Sequence, residues 1–264
     1  MSIKTTTKKV VLAVIAAVFV IAAGYFYWAQ QQYVVPILMY HHIGDPSVKP
    51  LVLNDVSVPA FDHQMQYLED NQYHVISTVE LVEGLKQKIK FPRKTVVIQF
   101  DDGYENNYTN AFPILKKHGF PVMVFVVSDF IGTPGFLTWS QIKEMEASQF
   151  LIGSHTRHHK YLPKLSEFEQ YDEIVGSKKI LEDNLKHPIE YFAYPTGGFT
   201  PYAKEVVAKA GYKAAMTTNR GKDKSNHDLF EIKRIRIKNT DKDYVFSLKV
   251  SGFYNLYRST KNGE

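Results

Sequence analysis

Short apolar, β-branched runs recur along the chain, each ending in polar or acidic residues and followed by a stretch of helical spacing. Runs at 34–42, 74–77, 95–100, 121–127, 150–153, 189–194, 212–216 and 233–237 read as strands. Several are apolar at consecutive positions, as expected of strands buried on both faces of a parallel sheet. Between them, 61–71, 78–88, 107–118, 138–147, 166–185 and 201–210 read as helices, with Thr138 or Ser140 as a cap and Gly119 and Gly211 as stops. The segment 44–59, rich in Pro, Asp, Asn and Ser, reads as a loop. Strand and helix alternate without an internal repeat, which predicts parallel βα units and an α/β fold. A length of 264 residues suits one domain of barrel size.

The N-terminus breaks this pattern. Lys4, Lys8 and Lys9 precede an uncharged apolar run over 10–29. That run is long enough to span a bilayer. Lysines before it and none just after it put the N-terminus inside and the rest outside. Tyr25, Tyr27 and Trp28 would then sit at the outer interface. The small residues Ala22, Ala23 and Gly24 keep a cleaved secretory signal as the alternative. Three segments are expected: a cytoplasmic tail 1–9, a transmembrane anchor or signal 10–29, and a catalytic domain 34–264 working outside the cytoplasm.

Composition narrows the chemistry. With no cysteine, disulfides and thiolate metal sites are excluded, so any metal must use His, Asp or Glu. The formal charge of +5 comes from scattered Lys and Arg, with no nucleic-acid stripe. A mildly basic surface suits the anionic face of a cell envelope.

The strand at 95–100 runs straight into Asp101, Asp102 and Gly103. Glycine there permits a sharp exit from the strand. Parallel sheets and barrels keep their chemistry at the C-terminal strand ends. Two carboxylates at such a place bind a metal, share a proton or cap the next helix. His155 and His159 follow another strand end, four residues apart, a spacing that on a helical turn puts both imidazoles on one face. Alone, either feature reads as a polar loop or a cap. Together, in one alternating chain, they point to a shared metal with an open position for water or substrate.

These residues resemble the polysaccharide deacetylases, carbohydrate esterase family four. Phe100-Asp101-Asp102-Gly103 resembles their first motif, His155-Thr156-Arg157-His158-His159 matches their second, and Tyr194-Pro195-Thr196-Gly197 resembles an altered third. The resemblance covers roughly residues 34–240. It implies a distorted (β/α) barrel of about seven strands, fewer than a full eight. It implies a divalent metal on Asp102, His155 and His159, zinc first, with cobalt, nickel or manganese also suited to such ligands. Asp101 is then the base, and the backbone N–H of Thr196 holds the oxyanion.

Two departures stand out. The family's usual third-motif Arg is Ala193, and no histidine follows His227 to serve as the usual C-terminal acid. Leu38-Met39-Tyr40-His41 instead places a histidine after the first strand, as in the biofilm poly-N-acetylglucosamine deacetylases. The resemblance therefore assigns His41 as general acid, with neighbouring His42 as the alternative. Arg234, at the last strand, is the candidate to orient Asp101, against a plain surface ion pair. Trp139 and Tyr194 are candidates to stack on sugar rings, although Trp139 also suits a core anchor for its helix. Tyr104 and Asn107 would frame the loop beside the metal, or simply start the next helix.

The expected function is extracellular N-deacetylation of an N-acetylglucosamine polysaccharide, with poly-β-1,6-N-acetylglucosamine ahead of peptidoglycan. A catalytically silent polysaccharide-binding module is the rival, but binding alone needs no spare base. A phosphohydrolase would call for further carboxylates or a second metal.

Overall fold

The protein is described here by a computed structural model covering residues 3–44, 54–218 and 226–254. The strands in chain order are β1 (Ile37–Tyr40), β2 (Ile43–Gly44), β3 (Val56–Ser57), β4 (His74–Val75), β5 (Thr95–Phe100), β6 (Val122–Val126), β7 (Phe150–Ser154), β8 (Tyr191–Ala193), β9 (Ala214–Thr217), β10 (Ile232–Lys233) and β11 (Ile235–Arg236). All but β2 and β3 join one parallel sheet, in the order β10-β9-β8-β7-β6-β5-β1-β11, with β4 beside the start of β5.

The two ends of this order are halves of one segment. Ile232 and Lys233 pair with Met216 and Thr217, whereas Ile235 and Arg236 pair with Leu38 and Met39. Arg234 lies between them and donates its own N–H to the Thr217 carbonyl. One short segment thus bridges both edges and nearly closes the sheet, giving seven barrel positions once β10 and β11 are taken as one. Closure also removes the exposed edge that an open sheet would present.

Strand alternation sorts the side chains into two buried clusters. Ile37, Val97, Met123, Phe125, Ala193, Ala214 and Met216 form the smaller cluster inside the barrel. Leu38, Tyr40, Ile98, Phe100, Val124 and Phe192 form the larger one, packed against the helices. Continuing the inner parity past the strand ends reaches His41, Asp101, His155 and Thr218. The same parity that fills the barrel therefore aims these side chains at its C-terminal mouth.

The helices depart from the sequence-based bounds for local reasons. Helix Val58–Asp70 starts inside the segment expected to be a loop, because Ser57 caps it by accepting from the Ala60 N–H and Pro59 suits a first turn. Residues 45–53 of that expected loop lie outside the described residues. The long helix expected over 166–185 is two α-helices, Glu167–Tyr171 and Ser177–Leu185, joined by a π-helical turn over Asp172–Gly176. A C-terminal helix, Asp243–Val250, was not foreseen. The N-terminal helix runs Ile3–Gln31, and its stretch Val11–Ala29 is long and apolar enough to cross a bilayer, with none of it buried against the domain.

Candidate active site

The barrel mouth holds a cavity of about 490 Å³ lined by His41, Asp101, Asp102, Tyr104, His155 and His159, among others. Asp101 and Asp102 leave β5 together but differ in surroundings. Asp101 keeps the inner parity, and its N–H donates to the Tyr40 carbonyl. Asp102 has a left-handed backbone, φ 72°, followed by Gly103 at φ 74°. That reversal ends the strand at once and leaves both carboxylates at the same mouth. A Cβ on Gly103 would stand 2.9 Å from Val126 Cγ1, so no larger residue fits the turn.

His155 follows β7 and is buried. Its Nδ1 lies 2.7 Å from the Ala193 carbonyl, which can only accept, so Nδ1 carries the proton and Nε2 offers its lone pair. His155 Nε2 lies 3.5 Å from Asp102 Oδ1, and His159 Nε2 lies 3.3 Å from the same oxygen. These three ligand atoms all fall within 4.8 Å of one another. Asp102 Oδ1 is buried and has no hydrogen-bond partner among the described residues. An orphaned carboxylate oxygen between two imidazole Nε2 atoms fits a divalent cation.

The two histidines do not share a helical turn, as their spacing suggested. Residues 155–160 form a loop with left-handed Thr156 (φ 69°) and His159 (φ 57°). The Thr156 hydroxyl accepts from the His159 N–H at 3.1 Å, and the rings meet 4.9 Å apart. Non-glycine residues held at positive φ are costly and are over-determined by their surroundings. Here the surroundings are Glu173, on the π-helical turn, and Asp129. Glu173 is buried; it accepts from the backbone N–H groups of Arg157 (3.0 Å) and His158 (2.9 Å), and its other oxygen meets His158 Nδ1 at 2.8 Å. Asp129 takes Arg157 Nη2 at 2.9 Å and His158 Nε2 at 3.1 Å.

Asp101 is tied elsewhere. Arg234 donates to both of its oxygens, Nη1 at 2.5 Å and Nη2 at 2.7 Å. Arg234 is 1% exposed and its guanidinium lies over the Phe125 ring at 5.4 Å, so the pair is not a surface one. Burial would raise the Asp101 pKa, but the charge of Arg234 and the hydrogen bonds it donates overcome it and hold the carboxyl below the usual range. Asp101 Oδ2 stands 3.9 Å from His155 Nε2, further than Asp102 Oδ1 does.

His41 lines the same cavity at the end of β1, the strand next to β5, where Tyr40 is in register with Phe100. Asn107 Nδ2 fixes its backbone by donating to the His41 carbonyl at 2.7 Å. His41 Nδ1 is buried without a hydrogen-bond partner among the described residues. Burial lowers the His41 pKa, opposed by the charges of Asp101 and Asp102. His42 turns instead toward Asp55, at 3.8 Å, and packs edge-on to Tyr104.

Thr196 lines the cavity at a left-handed turn, φ 54°, with Gly197 next at φ 80°. The Thr196 carbonyl accepts from the Thr218 hydroxyl at 2.9 Å, which holds the peptide that follows Thr196. The two aromatic candidates stand differently. Tyr194 lines the cavity but is 0% exposed, its ring stacked on Phe199 and edge-on to Phe192, so neither face is open to a sugar. Trp139 is not among the cavity's lining residues; it packs against the core at the start of its helix, as an anchor. Sequence reading passed over Asp55, Thr218, Arg236 and Glu173. Arg236 had a signal, since it lies two residues from Arg234 on the same face of the last strand. Glu173 had none, because only the π-helical turn shows where it points.

A parallel, nearly closed α/β barrel gathering acid, imidazole and guanidinium groups at its C-terminal mouth has the architecture of a barrel hydrolase. The family profile of polysaccharide deacetylases matches residues 88–215. Bacillus subtilis YxkH, whose own polysaccharide deacetylase assignment is provisional, is 33% identical over 204 residues, 76% of this chain and 71% of that one. The poly-β-1,6-N-acetyl-D-glucosamine N-deacetylase of Staphylococcus aureus is 29% identical, over 72% of this chain and 70% of its own. The structure of the Streptococcus pyogenes deacetylase PplD in complex with acetate superposes with a TM-score of 0.74 and 30% identity, over 82% of this chain and 97% of that one. The chain belongs to the polysaccharide deacetylase family, hydrolases of amide bonds.

Proposed function

We propose that the protein is a metal-dependent N-deacetylase of an N-acetylglucosamine polysaccharide, held at the outer face of the cell membrane by its N-terminal helix. Residues 1–9 form the inner tail, 10–29 the anchor and 34–264 the catalytic domain. The observation that carries the reading is a division of labour at one strand end: Asp102 faces two imidazole nitrogens, while Arg234 occupies both oxygens of Asp101.

A divalent cation, zinc first, with cobalt, nickel or manganese as alternatives, would be held by Asp102, His155 and His159 and would supply polarisation of the acetyl carbonyl and acidification of water. Asp101, kept ionised by Arg234, takes the proton of the attacking water. The Thr196 N–H, set by its left-handed turn, donates to the developing oxyanion. His41, lining the same cavity, delivers a proton to the leaving amine. The position of His41 on the first strand, together with the Staphylococcus aureus relative, favours poly-β-1,6-N-acetylglucosamine; peptidoglycan is the second substrate.

The test is acetate release from purified poly-N-acetylglucosamine and from peptidoglycan, with and without chelator. Release from at least one polymer, lost with chelator and restored by zinc, is expected. Asp101→Asn should keep bound metal and release no acetate. Turnover that persists in that variant sinks the base, and turnover indifferent to chelator sinks the metal.

A further inference from the structure

A second cavity, of about 370 Å³, lies beside the first and is lined by Arg234, Arg236, Lys238 and Lys249 with Asp241. Thr218 and Arg236 line both cavities, so the two share a wall. Four cations here face one carboxylate. Two of them are engaged: Arg234 holds Asp101, and Lys249 Nζ donates to the Asp241 carboxylate and to the Arg236 carbonyl. The side chains of Arg236 and Lys238 meet no carboxylate among the described residues. Only the Lys238 backbone reaches Asp241, its N–H donating at 2.8 Å. Arg236 Nε is buried and has no acceptor among the described residues.

An unanswered buried donor on a charged group costs about 1–3 kcal/mol or more. Two cations on one cavity wall, with no carboxylate paired to either among the described residues, also repel each other. Both costs vanish when an anion enters, and a guanidinium fork matches carboxylate or phosphate oxygens two at a time. The position of Arg236 gives that anion an address. It is in register with Met39 on β1, two residues before His41, so it stands beside the cavity where the acetyl group is cleaved.

We infer that the second cavity is a subsite for an anionic substituent, a carboxylate or a phosphate, carried by the sugar next to the one deacetylated, with Arg236 as its main contact and Lys238 in support. The inference rests on the deacetylase reading above and reverses its order of substrates, placing a glycan with acidic neighbours ahead of poly-N-acetylglucosamine. An uncharged poly-N-acetylglucosamine leaves this cavity unused, and its deacetylated units carry ammonium groups that Arg236 repels. A glycan with an acidic neighbour, such as the lactyl ether of a muramic acid or a phosphodiester of a wall polymer, fits it.

The test measures binding of the full chain, in detergent, by calorimetry. The probes are a peptidoglycan tetrasaccharide with free lactyl carboxylates, the same chain with those carboxylates as amides, a phosphodiester-bearing N-acetylglucosamine oligosaccharide, and neutral chitotetraose. At least one anionic probe should bind about tenfold more tightly than its neutral counterpart, and salt near 0.5 M should erode that preference. Comparing the carboxylate with the phosphate identifies the source. Arg236→Gln should bring the ratio toward one, and Arg236→Lys should keep part of it. Equal affinity for anionic and neutral probes overturns the subsite, as does a ratio unmoved by Arg236→Gln. A preserved preference with no acetate released from any probe refutes the deacetylase reading and leaves the subsite standing.

Discussion

The guanidinium of Arg234 meets both carboxylate oxygens of Asp101, at 2.5 and 2.7 Å, across 133 residues of sequence. Both groups are buried, so each is compensated chiefly by the other. Removing one partner strands a buried charge, at a cost of about 3–5 kcal/mol. Arg234→Met should therefore lower folding stability by that order in chemical denaturation. Asp101→Asn combined with Arg234→Met should cost clearly less than the two single changes added together. Strict additivity would mean that the pair is not coupled. Arg234→Lys should fold better than Arg234→Met yet turn over slowly, because a point charge does not hold the carboxylate plane as a fork does.

The same pair sets a pH dependence. Asp101 has its folded-state pKa depressed, so its contribution to stability is complete above the unfolded carboxylate value of about 3.9 and is lost as pH falls toward the folded value. In metal-free protein, the stability advantage of wild type over Asp101→Asn should be constant near neutrality. It should shrink below about pH 4, by at most about 1.4 kcal/mol per pH unit. Denaturant midpoints for both proteins across that window measure it. An advantage that grows as pH falls would contradict the depressed pKa.

His41 provides a separate handle on the proposed acid step. Burial lowers its pKa, so in the free protein it is largely neutral at pH 7, and amide cleavage should weaken as pH rises through that lowered value. His41→Ala should slow release of acetate from an N-acetyl sugar by about 10²–10⁴-fold. Hydrolysis of an activated aryl acetate, whose leaving group needs no proton, should fall far less. Equal losses on amide and ester would show that His41 does not act as the acid.

Much of this site could be read from the chain because strand parity is a local property. The runs before Asp101 and His155 fix which side chains face inward, and the break after each run fixes where the strand ends. Arg234 could be picked out only as a cation near the end of the last strand; its contact with Asp101 depends on how Ile232–Arg236 closes the barrel. What escaped is what depends on closure and on strained turns. The segment Ile232–Arg236 bridges two strands far apart in sequence, and only that bridge sets Arg236 beside a second cavity. The left-handed Thr156 and His159 are imposed by Glu173 and Asp129, so the spacing of His155 and His159 suggested a helical turn that does not form. Tyr194 and Trp139 looked available because aromatic residues carry no sequence mark of which face is covered.

Glu173 accordingly acts at a distance from the chemistry, as a positioning residue. Its carboxylate closes the loop between His155 and His159 by taking two backbone N–H groups and one imidazole nitrogen. Without it, His159 would sample other conformations, since its φ of 57° is not one that a histidine prefers. Supporting groups behind metal ligands commonly change affinity by about 10–100-fold. Glu173→Ala should therefore weaken zinc binding by that order, measured by competition with a chromogenic chelator. Glu173→Gln keeps an oxygen for the two backbone donors and should restore most of the affinity. A purely structural role would lower thermal stability in both variants and leave zinc affinity of the folded fraction unchanged. A role in holding His159 requires the affinity to fall in Glu173→Ala and recover in Glu173→Gln, whatever happens to the melting temperature.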